Sequence, residues 1–265
     1  MLHDFTMITK RFEKRPTIKV YGIADVHLGS LEHMEGAWEA FRKRVLSEPN
    51  SYIILAGDLI NNNIRTSVGS PFEATMRPRQ QKKIMIEQLA PLRDRILCMV
   101  GGNHERRTSK DTDESPSYDI ACKLDLEDVY RETAAFLKIQ MGDSKGNGLV
   151  NPCYAFCVTH GAGGSIYTTN AAMRAERFGM AIDGMDMLIV GHIHKPQDFP
   201  VFKYVIDKYN NKVSVKPFNV FVCTSWTENG AYGLQRLMQP TGHSLAHFTL
   251  NGTKKEITFS RKSEY

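Results

Sequence analysis

Five short apolar runs in this chain all stop at the same kind of place, and that repetition constrains the fold more than any other feature. IKVYGIA (18–24), YIILAG (52–57), ILCMVG (96–101), YAFCVT (154–159) and MLIVG (187–191) have the length and the β-branched, aromatic content of buried strands. Each runs straight into polar residues. The first leads to Asp25-Val26-His27 and the second ends Gly57-Asp58. The third ends Gly102-Asn103-His104-Glu105, the fourth His160-Gly161 and the fifth Gly191-His192-Ile193-His194. In open α/β sheets, ligands bind beyond the carboxyl ends of the strands. Five strand ends can therefore deliver these side chains to one crevice. Glycine at four of the turns lets the backbone bend sharply enough to aim them.

Between the runs lie helical patterns. Ala37, Phe41 and Val45 recur at four-residue spacing, residues 79–90 form a second amphipathic stretch stopped by Pro91, and 168–183 form a third, capped by Thr168 or Thr169. Three hairpins are expected: one across 135–160, one around Asn210-Asn211 and one around Asn251-Gly252. Strands alternating with helices early, then strands alone, predict a mixed α/β domain with more than one sheet. With no internal repeat or linker, residues 1–265 are expected to be a single domain, 1–16 being an N-terminal extension. Hydrophobic residues at 42% and charged residues at 24% exclude a disordered chain, and no apolar run approaches the roughly 20 residues of a membrane helix. Residues 1–16 lack the apolar centre of a secretory signal, and five cysteines without a zinc framework read as reduced thiols, so a cytoplasmic protein is expected. The net charge of +5 permits an anionic partner without demanding one.

Imidazoles and carboxylates in this combination are ligands for Mn, Fe, Zn, Co or Ni. In each x-gapped pair, Asp25/His27 and His192/His194, an extended backbone would put both side chains on one face. Asp25, His27, Asp58, Asn103, His160, His192 and His194 are too many ligands for one four-coordinate ion. They suit two five- or six-coordinate ions sharing a bridge, which at about 3.5–4 Å clamp a phosphoryl group and lower the pKa of a water. Taken singly, each residue has a structural explanation; a Gly-Asp after a strand is usually just a turn. The five blocks together carry the metal reading.

In these blocks the chain resembles the calcineurin-like metallophosphoesterases, whose signature is D-x-H, G-D, G-N-H-[DE], a lone H and G-H-x-H, in this order. The resemblance spans residues 23–194. It implies a four-layer α/β/β/α sandwich of two mixed β-sheets flanked by helices, the late strands completing the second sheet. It also implies two divalent transition-metal ions, manganese first. Asp25, His27 and His194 would hold one, Asn103, His160 and His192 the other, and Asp58 would bridge them. His104 takes the position of the family's catalytic histidine, beside the leaving oxygen. The implied reaction is in-line attack of a metal-activated hydroxide on phosphorus, without a covalent enzyme intermediate.

The chain also departs from two branches of the family. Leu59-Ile60-Asn61-Asn62-Asn63 replaces the x-x-Asp-Arg-Gly of the Ser/Thr protein phosphatases, and Asn61 stands where the double-strand-break nucleases carry a histidine. Asn61 can bind a phosphate oxygen but cannot relay a proton. Arg106 can clamp a phosphate, as can Arg107, unless they pair with Asp111, Asp113 or Glu114. Residues 61–78 and the following helix start carry Arg65, Arg77, Arg79, Lys82 and Lys83, either a basic lip or a solvated face. Gly161 to Gly164 is a tight turn or a backbone cradle. Tyr118, Tyr167, Trp226 and Tyr232 can stack on a base or belong to the core. The first expectation is a phosphodiesterase acting on a nucleotide or nucleic acid. The alternatives are a phosphomonoesterase acting on a small metabolite or phosphoprotein, and a binding module without turnover, which an intact ligand set disfavours.

Overall fold

The computed structural model describes residues 5–13, 15–67, 74–142, 151–163, 168–230, 234, 240 and 242–263. In chain order the first half comprises β1 (Met7–Phe12), β2 (Thr17–Ile23), α1 (Glu35–Ser47), β3 (Ser51–Ala56), α2 (Pro78–Leu89), β4 (Ile96–Val100), α3 (Glu105–Thr112) and α4 (Pro116–Lys123). The second half comprises β5 (Tyr130–Arg131), β6 (Ala134–Met141), β7 (Cys153–Thr159), α5 (Thr168–Met180), β8 (Met187–Val190), β9 (Asp198–Asp207), β10 (Lys212–Val222), β11 (Ser244–Asn251) and β12 (Ile257–Ser263).

The strands form two six-stranded sheets, ordered β1-β6-β7-β8-β10-β9 and β12-β11-β2-β3-β4-β5. Both mix parallel and antiparallel pairs, and helices flank them, as the α/β/β/α sandwich requires. The period of two along a strand separates the layers. In β8, Met187 and Ile189 join the large core between the sheets, while Leu188 and Val190 join a second cluster with Ala175 of α5. With both faces covered, β8 reads as an unbroken apolar run.

The helices follow their apolar spacing with adjustments. α1 buries Trp38, Phe41 and Val45, so its core face is centred on Trp38 and Ala37 is only partly buried. Full burial of each such side chain contributes about 1.5–3 kcal/mol. α2 begins with Pro78 and buries Gln81, Met85 and Leu89 along one stripe. Pro91 does not end the chain's coiling. It lies in the first turn of a 3-10 helix over residues 90–95, where its missing N–H costs nothing.

The hairpin expected across 135–160 is β6 against β7; its turn, residues 143–150, lies outside the described residues. The other two hairpins are β9-β10 and β11-β12. They do not complete one sheet. β9 and β10 extend the first sheet and β11 and β12 the second, because the chain crosses between layers after Val222. Within the segment expected as an N-terminal extension, residues 7–12 form the edge strand β1, parallel to β6, with Ile8 buried. Its charges at Lys10 and Arg11 hide the strand pattern.

Candidate metal centre

The carboxyl ends of β2, β3 and β4 in one sheet, and of β7 and β8 in the other, open at the same end of the sandwich. Backbone pairing continues past the strands: Asp25 N–H donates to Gly57 O (3.1 Å), His27 N–H to Asp58 O (3.0 Å) and Gly191 N–H to Thr159 O (3.3 Å). The pairs expected to be extended are not. Asp25, His27, Asp58, His192 and His194 have φ of 52°, 46°, 53°, 65° and 54°. Each left-handed residue costs on the order of 1 kcal/mol. Such strain persists where surrounding contacts over-determine it, typically at functional sites. Gly102 admits the closest approach: a Cβ there would lie 2.1 Å from both the backbone N and Oδ1 of Asp58.

All seven expected ligands come together here. Each carboxylate is split between two tasks. Asp25 Oδ2 accepts from the His192 N–H (2.8 Å), and Asp58 Oδ1 from the His104 N–H (2.8 Å). The other oxygens face imidazoles. Asp25 Oδ1 is 3.0 Å from His194 Nε2, and Asp58 Oδ2 is 3.1 Å from His160 Nε2. His27 Nε2 stands 3.8 Å from both Asp25 Oδ1 and Asp58 Oδ2. Among the described residues the groups able to hold an ion are Asp25/His27/His194 and Asp58/His160/His192, with an overlapping third of His27, Asp58 and His104.

The donor chemistry tests whether a cation fits. His160 Nδ1 is 2.8 Å from Ala56 O, a carbonyl that only accepts, so the ring proton sits on Nδ1. His160 Nε2 then presents a lone pair to two oxygens, Asp58 Oδ2 and Asn103 Oδ1 (2.9 Å). Only a proton or a cation reconciles three acceptors at such distances. His27 Nε2 is buried without a hydrogen-bond partner and Asp25 Oδ1 meets only imidazole nitrogens, an arrangement that costs free energy unless a positive charge serves it. The residues therefore fit divalent ions with nitrogen and oxygen ligands. The same field shifts the ligands' protonation. Burial works against charge on His160, yet Asp58 outweighs it and pushes this imidazole up to about 9. Burial likewise opposes ionised Asp25, but His194 and His27 hold its carboxyl well below the usual range.

The supporting residues were harder to find in the sequence. Glu105 is buried and accepts from the backbone N–H groups of Asp58 (3.2 Å), Ile60 (3.0 Å) and Gly102 (3.1 Å), tying the β3 turn to the β4 turn. Burial, then the charge of Asp58, raises its carboxyl to about 7. Asn62 Nδ2 donates to His104 O (2.7 Å) and Thr108 Oγ1 (2.9 Å), and its own N–H is held by Gln81 Oε1 (2.8 Å). Gln81 left one signal: a polar residue on the apolar stripe of α2. His194 Nδ1 lies 3.1 Å from Thr227 Oγ1 and 3.2 Å from Ser225 Oγ, partners that no pattern announces.

His104 donates from Nδ1 to Asn61 O (2.7 Å), leaving Nε2 as an acceptor for Arg107 Nη2 (2.8 Å). Arg107 also donates to Asn63 Oδ1 (2.8 Å), and Arg106 turns its Nε to Gly102 O (3.1 Å). Asn61 is buried, with its backbone bonded to both Leu28 and His104. Within the basic segment, Lys82 pairs with Asp119 and Lys83 with Glu87, while Arg65, Arg77 and Arg79 are exposed. Trp226 is core, packed against Trp38 and Phe41, so it offers no face to a base. Tyr118 is exposed beside Tyr130. Tyr167, Tyr232, Gly164, residues 68–73 and the Thr168 side chain lie outside the described residues.

Residues 18–196, about two thirds of the chain, match the profile of a family described as calcineurin-like phosphoesterase. Among curated protein sequences no significant match is found. Among solved structures the chain is similar to Haemophilus influenzae NAD nucleotidase, at 9% identity and a TM-score of 0.39. That match covers 93% of this chain and 49% of the other, so the chain spans about half its length.

Proposed function

The chain belongs to the calcineurin-like phosphoesterases, and we propose that it is a metal-dependent hydrolase of phosphoric esters, a dinuclear phosphodiesterase acting on a nucleotide-like or nucleic-acid substrate. The observation that carries this reading is the pair of acceptor-rich groups meeting at Asp58 Oδ2, where His27 Nε2 of one stands at 3.8 Å and His160 Nε2 of the other at 3.1 Å. Asp25, His27 and His194 would hold one ion and Asn103, His160 and His192 the other, with Asp58 serving both. Bound there, divalent ions supply Lewis-acid stabilisation of phosphoryl oxygens and a nucleophile from water at neutral pH. Manganese suits nitrogen and oxygen ligands without thiolates.

The chain's own residues do the rest. His104 Nε2 is 3.8 Å from Asp58 Oδ2, and Arg107 already occupies its lone pair, which argues for a role at the leaving oxygen rather than as a ligand. A substrate oxygen arriving there displaces the Arg107–His104 bond. It frees Nε2 to handle a proton and the guanidinium to meet a phosphoryl oxygen. The diester preference is supported by the cationic groups at hand. A monoester dianion calls for several clamps, whereas Arg106 turns its Nε to Gly102 O and the guanidinium released to the phosphoryl group is that of Arg107. Arg106 and Asn61 are kept as substrate contacts on the strength of their position beside His104. Residues 1–265 are read as one domain, since a single core cluster joins both sheets. No described helix is long and apolar enough to cross a membrane. Five free thiols support a reducing, cytoplasmic setting.

The test is to strip the protein with a chelator, reload it with Mn²⁺, and compare bis-p-nitrophenyl phosphate with p-nitrophenyl phosphate. The diester is expected to be the better substrate, with Asp58→Asn and His104→Ala both inactive. A Tm that rises with Mn²⁺ in the native protein but not in Asp58→Asn reports ion binding separately from turnover. A clear preference for the monoester would replace this reading with a phosphomonoesterase.

A further inference from the structure

A sixth strand end closes on the same crevice. The apolar run that finishes β10 at Phe221-Val222 leads not to carboxylates or imidazoles but to Cys223-Thr224-Ser225-Trp226-Thr227. This is the strap on which the chain crosses from one sheet to the other, and it is bonded on both sides. Cys223 N–H donates to Val190 O (2.8 Å) at the end of β8. Thr224 N–H donates to Gly22 O (2.9 Å), and Thr224 O accepts from the Ala24 N–H (3.1 Å). Trp226 N–H then donates to the carbonyl of Asp25 (3.0 Å), and Trp226 O accepts from the Met34 N–H (2.9 Å).

The alternation of an extended segment sorts the strap's side chains. Thr224 and Trp226 are buried. Thr224 Oγ1 donates to Ser244 O (3.1 Å) and accepts from the Ala246 N–H (2.9 Å), and Trp226 packs on Trp38 and Phe41. Ser225 and Thr227 face the other way, toward His194. His194 Nδ1 lies 3.1 Å from Thr227 Oγ1 and 3.2 Å from Ser225 Oγ, and the two hydroxyls are 3.1 Å from each other. The far edge of the ring, Nε2, stands 3.0 Å from Asp25 Oδ1. For Nε2 to present a lone pair to an ion there, the ring proton must sit on Nδ1, and a proton on Nδ1 needs an acceptor. His160 meets the same need with the Ala56 carbonyl. Among the described residues, His194 meets it with these two hydroxyls, either of which is close enough to accept.

We propose that Ser225 and Thr227 are positioning residues for His194: their hydroxyls accept the Nδ1 proton, hold the ring by that edge, and aim Nε2 at the ion that Asp25, His27 and His194 would hold. The inference rests on the metal reading of that group. Both residues act through His194 and not on the substrate.

Mn²⁺ titration of the chelator-stripped chain, with free Mn²⁺ counted by electron paramagnetic resonance, tests this without turnover. Ser225→Ala/Thr227→Val removes both hydroxyls, Ser225→Ala/Thr227→Ser keeps one, and His194→Ala marks the ion in question. The variant with Val is expected to bind that ion about ten- to a hundredfold more weakly, the scale of losing the outer partner of a ligating histidine, and the second ion as the native chain does. The variant with Ser should bind both as the native chain does, because one hydroxyl suffices. Independently of any variant's folding, imidazole nitrogen NMR of the Zn²⁺-loaded native chain should show a proton on His194 Nδ1. Four results would each overturn the proposal: a variant with Val that binds both ions normally; one that keeps its circular dichroism and weakens both ions equally; a variant with Ser as weak as the one with Val; or an unprotonated Nδ1. The dinuclear reading fails separately. A native chain that binds one ion, weakened by loss of the hydroxyls, overturns that reading and upholds this one, while two native ions that loss of the hydroxyls leaves untouched do the reverse.

Discussion

Arg107 Nη2 stands 2.8 Å from His104 Nε2, while the other ring nitrogen of His104 is held 2.7 Å from Asn61 O. The imidazole is fixed at both ends, and a guanidinium rests at the position its free lone pair addresses. The two side chains are three residues apart on the first turn of α3, so the helix itself brings them together.

Arg107→Ala is expected to lower kcat for a diester about ten- to a hundredfold, the scale of one charge-assisted hydrogen bond of roughly 1.5–3 kcal/mol. Since His104 keeps its Asn61 bond, KM should change less than kcat. Steady-state kinetics on the Mn²⁺-loaded protein separate the two, and equal changes in both would assign Arg107 to uniform substrate binding.

Gln81→Leu removes the acceptor for the buried Asn62 N–H and the donor to Met76 O (2.8 Å). Leaving such a group unpaired costs about 1–3 kcal/mol. Urea unfolding should register that loss. Activity should fall too, because Asn62 carries the His104 carbonyl.

Gly102→Ala places a methyl group 2.1 Å from Asp58 N, a backbone atom, and from Asp58 Oδ1, a side-chain oxygen held by the His104 N–H. The turn must shift and take the Asp58 carboxylate with it. The expected signature is a fold intact by circular dichroism whose Tm no longer rises with Mn²⁺.

Tyr21 lies far from the centre and supplies a pH dependence. Burial, then its hydrogen bond to Glu48 Oε2 (2.8 Å), raises its hydroxyl above the ordinary value of 10. The folded chain keeps this proton at pH values where the unfolded chain releases it. Its contribution to stability is complete below pH 10 and is lost progressively as pH rises above it. Denaturant unfolding of the native chain and Tyr21→Phe at pH 8 and pH 11 isolates the effect. The stability advantage of the native chain should shrink at pH 11.

The strands that carry the site and the side chains at their carboxyl ends are legible along the chain. Strand runs such as ILCMV, hairpin turns such as Asn210-Asn211 and the Gly-Asp after β3 are local. Period-two burial and turn chemistry act between neighbours, so reading residues in order recovers them. What closes around those side chains comes from contacts between distant segments. The His192 N–H reaches Asp25 across 167 positions, and Glu105 gathers donors from two different turns. Four of the candidate ligands, Asp25, His27, His192 and His194, take left-handed backbone angles where the spacing suggested extended ones, because the ladder beyond the strands bends them there. Trp226 became core, residues 7–12 became an edge strand, and the last four strands divided between two sheets. Each of these outcomes depends on which distant surfaces meet, and composition and periodicity along a single chain carry no record of that.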